Sequence, residues 1–120
     1  MKNQILIKYP KKWGLDKRLV VTIMEQVLKE RGYKKNMEIS LMFVGQKKAK
    51  DLNIKYREMS YIPQVLGFPM NKGKSVDGYI RLGDIVICTQ KLKYEVKFQK
   101  SNLETILSDW LNHGVDNLLK

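Results

Sequence analysis

Two periods organise the apolar positions of this chain. Alternation marks "MEISLMFV" (37–44), where Ile39, Leu41 and Phe43 share one side of a strand. "NQILIKY" (3–9) reads as a shorter strand, closed by a break from Pro10 to Gly14. A helical period then takes over. Leu19, Val20, Ile23, Met24, Val27 and Leu28 form one stripe, with Asp16 as N-cap, an end near Arg31 and Gly32 just beyond. A second helix is predicted from Gln46 to about Arg57, with Ala49, Leu52 and Tyr56 on its buried side. "SYIPQVLGFPM" is extended, and its two prolines, Pro63 and Pro69, suit an edge strand. "NKGKSVDG" (71–78) is a loop. "IRLGDIVICT" (80–89) is apolar enough to be a central strand. A short helix over 90–98 follows. "SNLE" (101–104) then reads as a capping box, Ser101 at the N-cap and Glu104 three residues on, opening the last helix. This order predicts an α+β fold in a single domain over residues 1–120: a small mixed sheet of about four strands with about four helices.

Charge narrows the partners. The 120 residues carry 23 basic and 12 acidic side chains, a net +11. Residues 1–75 hold 17 of the basic and 6 of the acidic groups, so the excess lies there and residues 76–120 balance. A field of that size attracts polyanions, nucleic acid first among them. The competing reading is a surface that is merely soluble. Cys88, alone, has no disulfide partner and sits in the apolar run "DIVIC", as a small core residue would. The N-terminal apolar run is too short for a signal peptide, and no stretch approaches the ~18 apolar residues of a membrane span. The expectation is a cytoplasmic protein with no membrane partner.

Candidate chemistry gathers in the last helix. Leu103, Ile106, Leu107, Trp110, Leu111 and Leu118 form an apolar stripe at ~100° per residue. By that spacing His113, the sole histidine, and Asn117 flank Ile106, and Gly114 lies in the stripe, where it would admit a close neighbour. One reading is a partly buried, hydrogen-bonded His–Asn pair. The other is a metal or catalytic floor, since His-x-x-x-His on a helix presents two imidazoles to one ion. Here the second position is Asn117, a poor zinc ligand, and one histidine cannot hold zinc alone. "GFPMNKGKS" (67–75) approaches a phosphate loop, but five residues separate Gly67 from Gly73 where four are needed, and a turn follows in place of a helix. A basic loop touching a nucleic-acid backbone stays open. No Ser–His–Asp or Cys–His set is evident, and Asp84 after Gly83 reads as a strand-start or bulge residue.

Four segments in order resemble the YbeY family of metal-dependent endoribonucleases that mature ribosomal RNA. "LNIKYR" (52–57) is similar to that family's Leu-Asn-x-x-Tyr-Arg, "VLGFP" (65–69) to its Val-Leu-Ser-Phe-Pro, "LGDIVIC" (82–88) to its Leu-Gly-Asp-Ile-Val-Ile, and "HG" (113–114) to the opening of its His-Gly-x-Leu-His-Leu-Leu-Gly-x-Asp-His. The likeness runs from about Ile39 to the end, roughly two-thirds of the chain. It implies a zinc cofactor activating water for phosphodiester hydrolysis, with His113 as a metal ligand and catalytic residue and Arg57 as a catalytic phosphate clamp. It implies rRNA as partner, with the small ribosomal subunit a further candidate. Lys47, Lys48, Lys55, Lys72 and Lys74 would join Arg57 on the RNA-facing surface. Departures accompany it. Asn117 stands at the second histidine position, the third falls three residues beyond Lys120, Pro63-Gln64 replaces Thr-Asp, and Gly67 replaces Ser. With one of three metal ligands matched, zinc binding is expected to be weak or lost. The alternative is a non-catalytic RNA- or ribosome-binding module on the same fold. A metal peptidase, suggested by the helical spacing alone, is weakest, because no glutamate stands beside His113. The nuclease reading expects the last helix and the proline-bearing segment to form a cleft where His113 and Arg57 face a common point.

Overall fold

The computed structural model describes residues 2–70 and 77–120. Among these residues, four strands and four helices follow in the order β1 (Gln4–Lys8), α1 (Lys17–Glu30), β2 (Met37–Val44), α2 (Gln46–Arg57), β3 (Val65–Pro69), β4 (Ile80–Cys88), α3 (Thr89–Gln99) and α4 (Leu103–Leu119). The sheet order is β1-β2-β4-β3. β1, β2 and β4 run parallel, and β3 pairs antiparallel with β4 along the edge. The fold is α+β, and the proline-flanked strand does lie at an edge, where a missing amide donor leaves no central ladder broken.

Alternation in β2 sorts the two faces of the sheet. Met37, Ile39, Leu41 and Phe43 are buried, while the residues between them are only partly so. With Ile85 and Ile87 of β4 they face a core closed by α1 and α4, and Leu92 of α3 joins it. The break after β1 supplies a wedge. Trp13 is buried, stacks on Tyr9 at 4.4 Å and meets Phe43 at 4.9 Å. The opposite face is smaller. Leu66 and Val86 are buried there together with Ala49 of α2, outside the main cluster.

Local chemistry sets the helix ends. Asp16 accepts the Arg18 amide at the start of α1, and Gly32 beyond its end takes φ +86°. At α4 the cap is Asn102, which accepts the Thr105 amide at 2.8 Å, so the expected Ser101 cap is shifted by one residue. Either side chain can cap, and the change leaves the apolar stripe with Leu107 and Leu111 in the core. On α2 the expected buried side is also corrected. Ala49 and Asn53 are buried, Leu52 is partly so, and Tyr56 is exposed at 57%. The face beneath α2 is narrow, so its buried arc shrinks to one i, i+4 pair and Tyr56 sits at the rim, edge-on to Phe68 at 5.2 Å.

Glycines let α4 settle onto the β3–β4 hairpin. A Cβ at Gly114 would lie 2.8 Å from two carbons of Ile85. One at Gly67 would lie 2.8 Å from the Asn117 Cβ and 3.1 Å from the Gly114 carbonyl oxygen. Gly83 adopts φ +134° beside a register shift that falls between Glu38 and Ile39 on β2, and added bulk there would meet the Phe68 carbonyl. Asp84 follows this bulge, as expected. Gly67→Ala is expected to destabilise the fold by about 1–3 kcal/mol through overpacking against the helix, measured by urea unfolding.

Candidate nucleic-acid interface at the β3 edge

The sequence singles out three groups: His113 and Asn117 of α4, Arg57 with the lysines of α2, and the basic segment bearing Lys72 and Lys74. The first two fall within the described residues. Lys72 and Lys74 lie outside them.

His113 does not enter the apolar face of α4. Its side chain is 65% exposed, and Nε2 lies 3.8 Å from Asp109 Oδ2, one turn earlier on the helix. The reason is Val115, which is wholly buried and was missing from the expected stripe. Including it rotates the centre of the buried arc toward Leu111 and Leu118, at ~100° per residue, and turns His113 out to solvent. Asn117 remains half-buried, with its Cβ against Gly67. The turn that matches the family's histidine motif therefore packs directly on the "VLGFP" strand.

Arg57 occupies the last turn of α2 and is exposed. Glu58 beyond it is left-handed, at φ 56°, and ends the helix. Asn53, unremarked in the sequence beyond its place in "LNIKYR", fixes where the chain goes next. It is fully buried, its side-chain amide donates to the Tyr61 carbonyl at 3.0 Å, and its own carbonyl accepts from the Met59 amide. One residue thus folds 58–61 back beneath the helix and leads into β3. α2 itself carries Lys47, Lys48, Lys50, Lys55 and Arg57 against the single acid Asp51. Lys47, Lys48 and Lys55 are exposed, and Lys55 Nζ stands 5.1 Å from the centre of the Tyr56 ring. Lys48, Tyr56, Phe68 and Asp84 border a hollow of about 290 Å³ between α2 and the sheet.

The two halves do not meet as expected. Gly67 of β3 faces α4, whereas its neighbour Phe68 faces Tyr56 of α2. Successive strand residues point to opposite faces, so α2 and α4 lie on opposite sides of the sheet, both against its β3 edge. Arg57 and His113 belong to separate helices flanking that edge, not to one preformed cleft floor.

Arg31, also unremarked in the sequence except as a helix end, orients the outer side of α4. From the C-cap of α1 its Nε donates to Asn112 Oδ1 at 3.0 Å, its Nη2 to the Asn112 carbonyl at 3.1 Å, and its Nη1 pairs with Asp116 at 2.8 Å. The hydrogen bond from Arg31 holds the Asp116 carboxyl below its usual range, and the charges of Arg31, His113 and Lys120 act in the same direction.

A metal centre of the kind the resemblance implies does not fit the residues present. Among the described residues no three His, Cys, Asp or Glu side chains come together to hold an ion. His113 points to solvent beside the Asp109 carboxylate, and half-buried Asn117 offers only an amide, a poor zinc ligand.

The family model described as Endoribonuclease YbeY matches residues 8–119. The chain belongs to the YbeY family. A YbeY endoribonuclease of Acinetobacter baumannii is 34% identical over 100 residues, which are 81% of this chain and 63% of that protein. One from Chromobacterium violaceum is 32% identical over 84 residues, 70% of this chain and 50% of the relative. The chain thus spans less than two thirds of the length of these relatives. A Thermotoga maritima protein solved in solution superposes with a TM-score of 0.61 at 19% identity, covering 98% of this chain and 72% of the other. At that identity the likeness shows the fold alone. The family match begins at residue 8, well before the segment near Ile39 where the sequence resemblance starts. α1 therefore lies within the matched segment, which takes in only Lys8 of β1.

Two outcomes follow. Asn53→Ala is expected to cost about 1–3 kcal/mol in urea unfolding, because a fully buried side chain and its hydrogen bond to the Tyr61 carbonyl are lost. The Asp116 pKa is lowered on folding, so its contribution is present above the ordinary carboxylate range and lost as pH falls through the depressed value. The stability difference between the wild type and Asp116→Asn is expected to be small at neutral pH, since the Asp116 carboxyl is largely exposed, and to shrink as pH falls below the ordinary carboxylate range in unfolding titrations.

Proposed function

We propose an RNA-directed function of the YbeY type, an endoribonuclease scaffold acting in rRNA maturation, with RNA approaching along the β3 edge. The observation that carries this reading is the family match over residues 8–119, joined to a helix, α2, that presents five cations beside the matched strand. Arg57 is suited to a phosphate because its planar guanidinium can donate two parallel hydrogen bonds to one anion. Lys47, Lys48 and Lys55 supply the surrounding field, which draws a polyanion without reading its sequence. The same reading assigns the protein to the cytoplasm, with rRNA and the small ribosomal subunit as partners.

Zinc is the cofactor the resemblance implies, but the donor set among the described residues does not fit it. That mismatch favours a second reading, a non-catalytic RNA- or ribosome-binding module that keeps the basic surface.

Incubation of a labelled single-stranded RNA with the purified chain, with and without added zinc or manganese, separates the two. Cleavage abolished by chelator and by Arg57→Ala supports the nuclease. Binding without cleavage, with a steep salt dependence, supports the module. In either case Arg57→Ala is expected to weaken RNA binding several-fold, on the scale of one charged hydrogen-bond pair. About one equivalent of tightly held zinc in the purified chain would overturn the statement about the donor set.

A further inference from the structure

The neutral C-terminal third conceals a basic helix. Residues 89–100 carry Lys91, Lys93, Lys97 and Lys100 against Glu95 alone, and acidic residues later in α4 cancel the excess. On the outer face of α3, Tyr94 and Phe98 stand 61% and 69% exposed. They are one turn apart, their ring centres are 5.7 Å apart and their planes only 11° off parallel. Two rings ordered against each other in solvent bury little of their apolar surface. They form a platform whose outer faces stay open.

The surroundings of this platform are polar and cationic. Lys91 and Lys97 flank the pair along the helix, whereas Lys93 is engaged in donating to the Trp13 carbonyl at 2.7 Å, which anchors α3 to the core. Lys91 also lines a hollow of about 360 Å³ with Tyr61 and Gln64, at the approach to β3, where Tyr61 is 53% exposed. At its start α3 meets α2, since the Gln46 amide donates to Gln90 Oε1 at 2.8 Å. The first turns of α2 and α3 therefore adjoin.

We propose that this face of α3 binds single-stranded RNA, with unpaired bases stacking on Tyr94 and Phe98 and phosphates held by Lys91 and Lys97. Exposed aromatic rings interleaved with cations are what such strands require, because every base has a stacking face and every linkage a charge. A duplex keeps its base faces covered and gains nothing from the rings. Self-association through this face would bring together two chains of net charge +11 across lysine-flanked rings, which mutual repulsion opposes. The proposal rests on the RNA-directed reading above and adds to it a surface separate from Arg57 and His113.

Fluorescence anisotropy of a labelled oligouridine of about twelve nucleotides, titrated with the full chain over a range of salt, tests it, since stacking by Tyr94 and Phe98 tolerates any base. The Tyr94→Ala/Phe98→Ala variant is expected to bind about tenfold or more weakly with an unchanged salt slope, since its phosphate contacts remain. Lys91→Ala/Lys97→Ala should weaken binding and reduce the slope by about 1.4, roughly 0.7 for each lost contact. Phe98→Leu, which keeps an apolar side chain and the fold but removes the plane, should behave like the aromatic variant. Duplex RNA of equal length should not distinguish the aromatic variants from the wild type. Wild-type binding that the aromatic variants leave intact overturns this surface and leaves the RNA-directed reading standing. No binding by the wild type overturns both. A concentration-dependent dimer in sedimentation that Phe98→Ala abolishes assigns the rings to self-association and overturns the proposal.

Discussion

The close seat of α4 on the β3–β4 hairpin is the constraint on which the rest of the molecule depends. Gly114 admits Ile85, and Gly67 admits both the Asn117 Cβ and the Gly114 carbonyl. Each is a position where one methyl group would force backbone or a branched side chain aside, in an interior with no slack to absorb it. Because the helix sits this close, Leu107, Leu111, Val115 and Leu118 are buried in the core. The same seat decides that Asn117 faces a strand and His113 faces water. The departure from serine to glycine at position 67 fits this packing, since the strand offers no room there for a side chain.

Around that seat the edge strand organises two surfaces of different character. The α4 side is pinned by Arg31, whose guanidinium spans Asn112 and Asp116 from the end of α1. The α2 side is held by Asn53, a buried amide that folds the following turn back toward β3. Asn53 gives its side-chain amide to a backbone carbonyl, and Arg31 divides its donors among a backbone carbonyl, the Asn112 side-chain oxygen and the Asp116 carboxylate. They position the neighbours of Arg57 and His113 and leave those two side chains exposed. A phosphate backbone meeting this protein would find cations on mobile stems over a rigid, glycine-tight frame.

Family membership and local chemistry pull in different directions here. The fold, the edge strand and the arginine-bearing helix match the YbeY pattern over residues 8–119. The donor groups expected of a metal site do not assemble among the described residues. A scaffold can keep its packing while its site changes, because packing depends on many buried contacts and a metal centre on three or four donors. α3 illustrates the converse. Its buried side, Thr89 and Leu92, serves the common core, and its outer side carries an aromatic and cationic face that core packing does not require.

Hydrophobic period, prolines and capping signals together determined the eight elements, their order and the edge position of β3, because all of these are local properties and prolines exclude a central strand. The end of α2 at Arg57 and the cap of α1 at Asp16 were legible for the same local reason. The meeting of α4 with "VLGFP" was an expectation of the nuclease reading, and the structure shows the contact at Gly67. Which way His113 turns was not legible, since one omitted residue, Val115, shifts the centre of an apolar arc, and only the packed core shows which side is filled. The split of Arg57 and His113 onto opposite faces was equally hidden, because it depends on alternation along β3 meeting two helices distant in sequence. Asn53 and Arg31 gave no signal of their own. A buried amide and a capping guanidinium acquire meaning only when the carbonyls they reach have been brought to them by the fold.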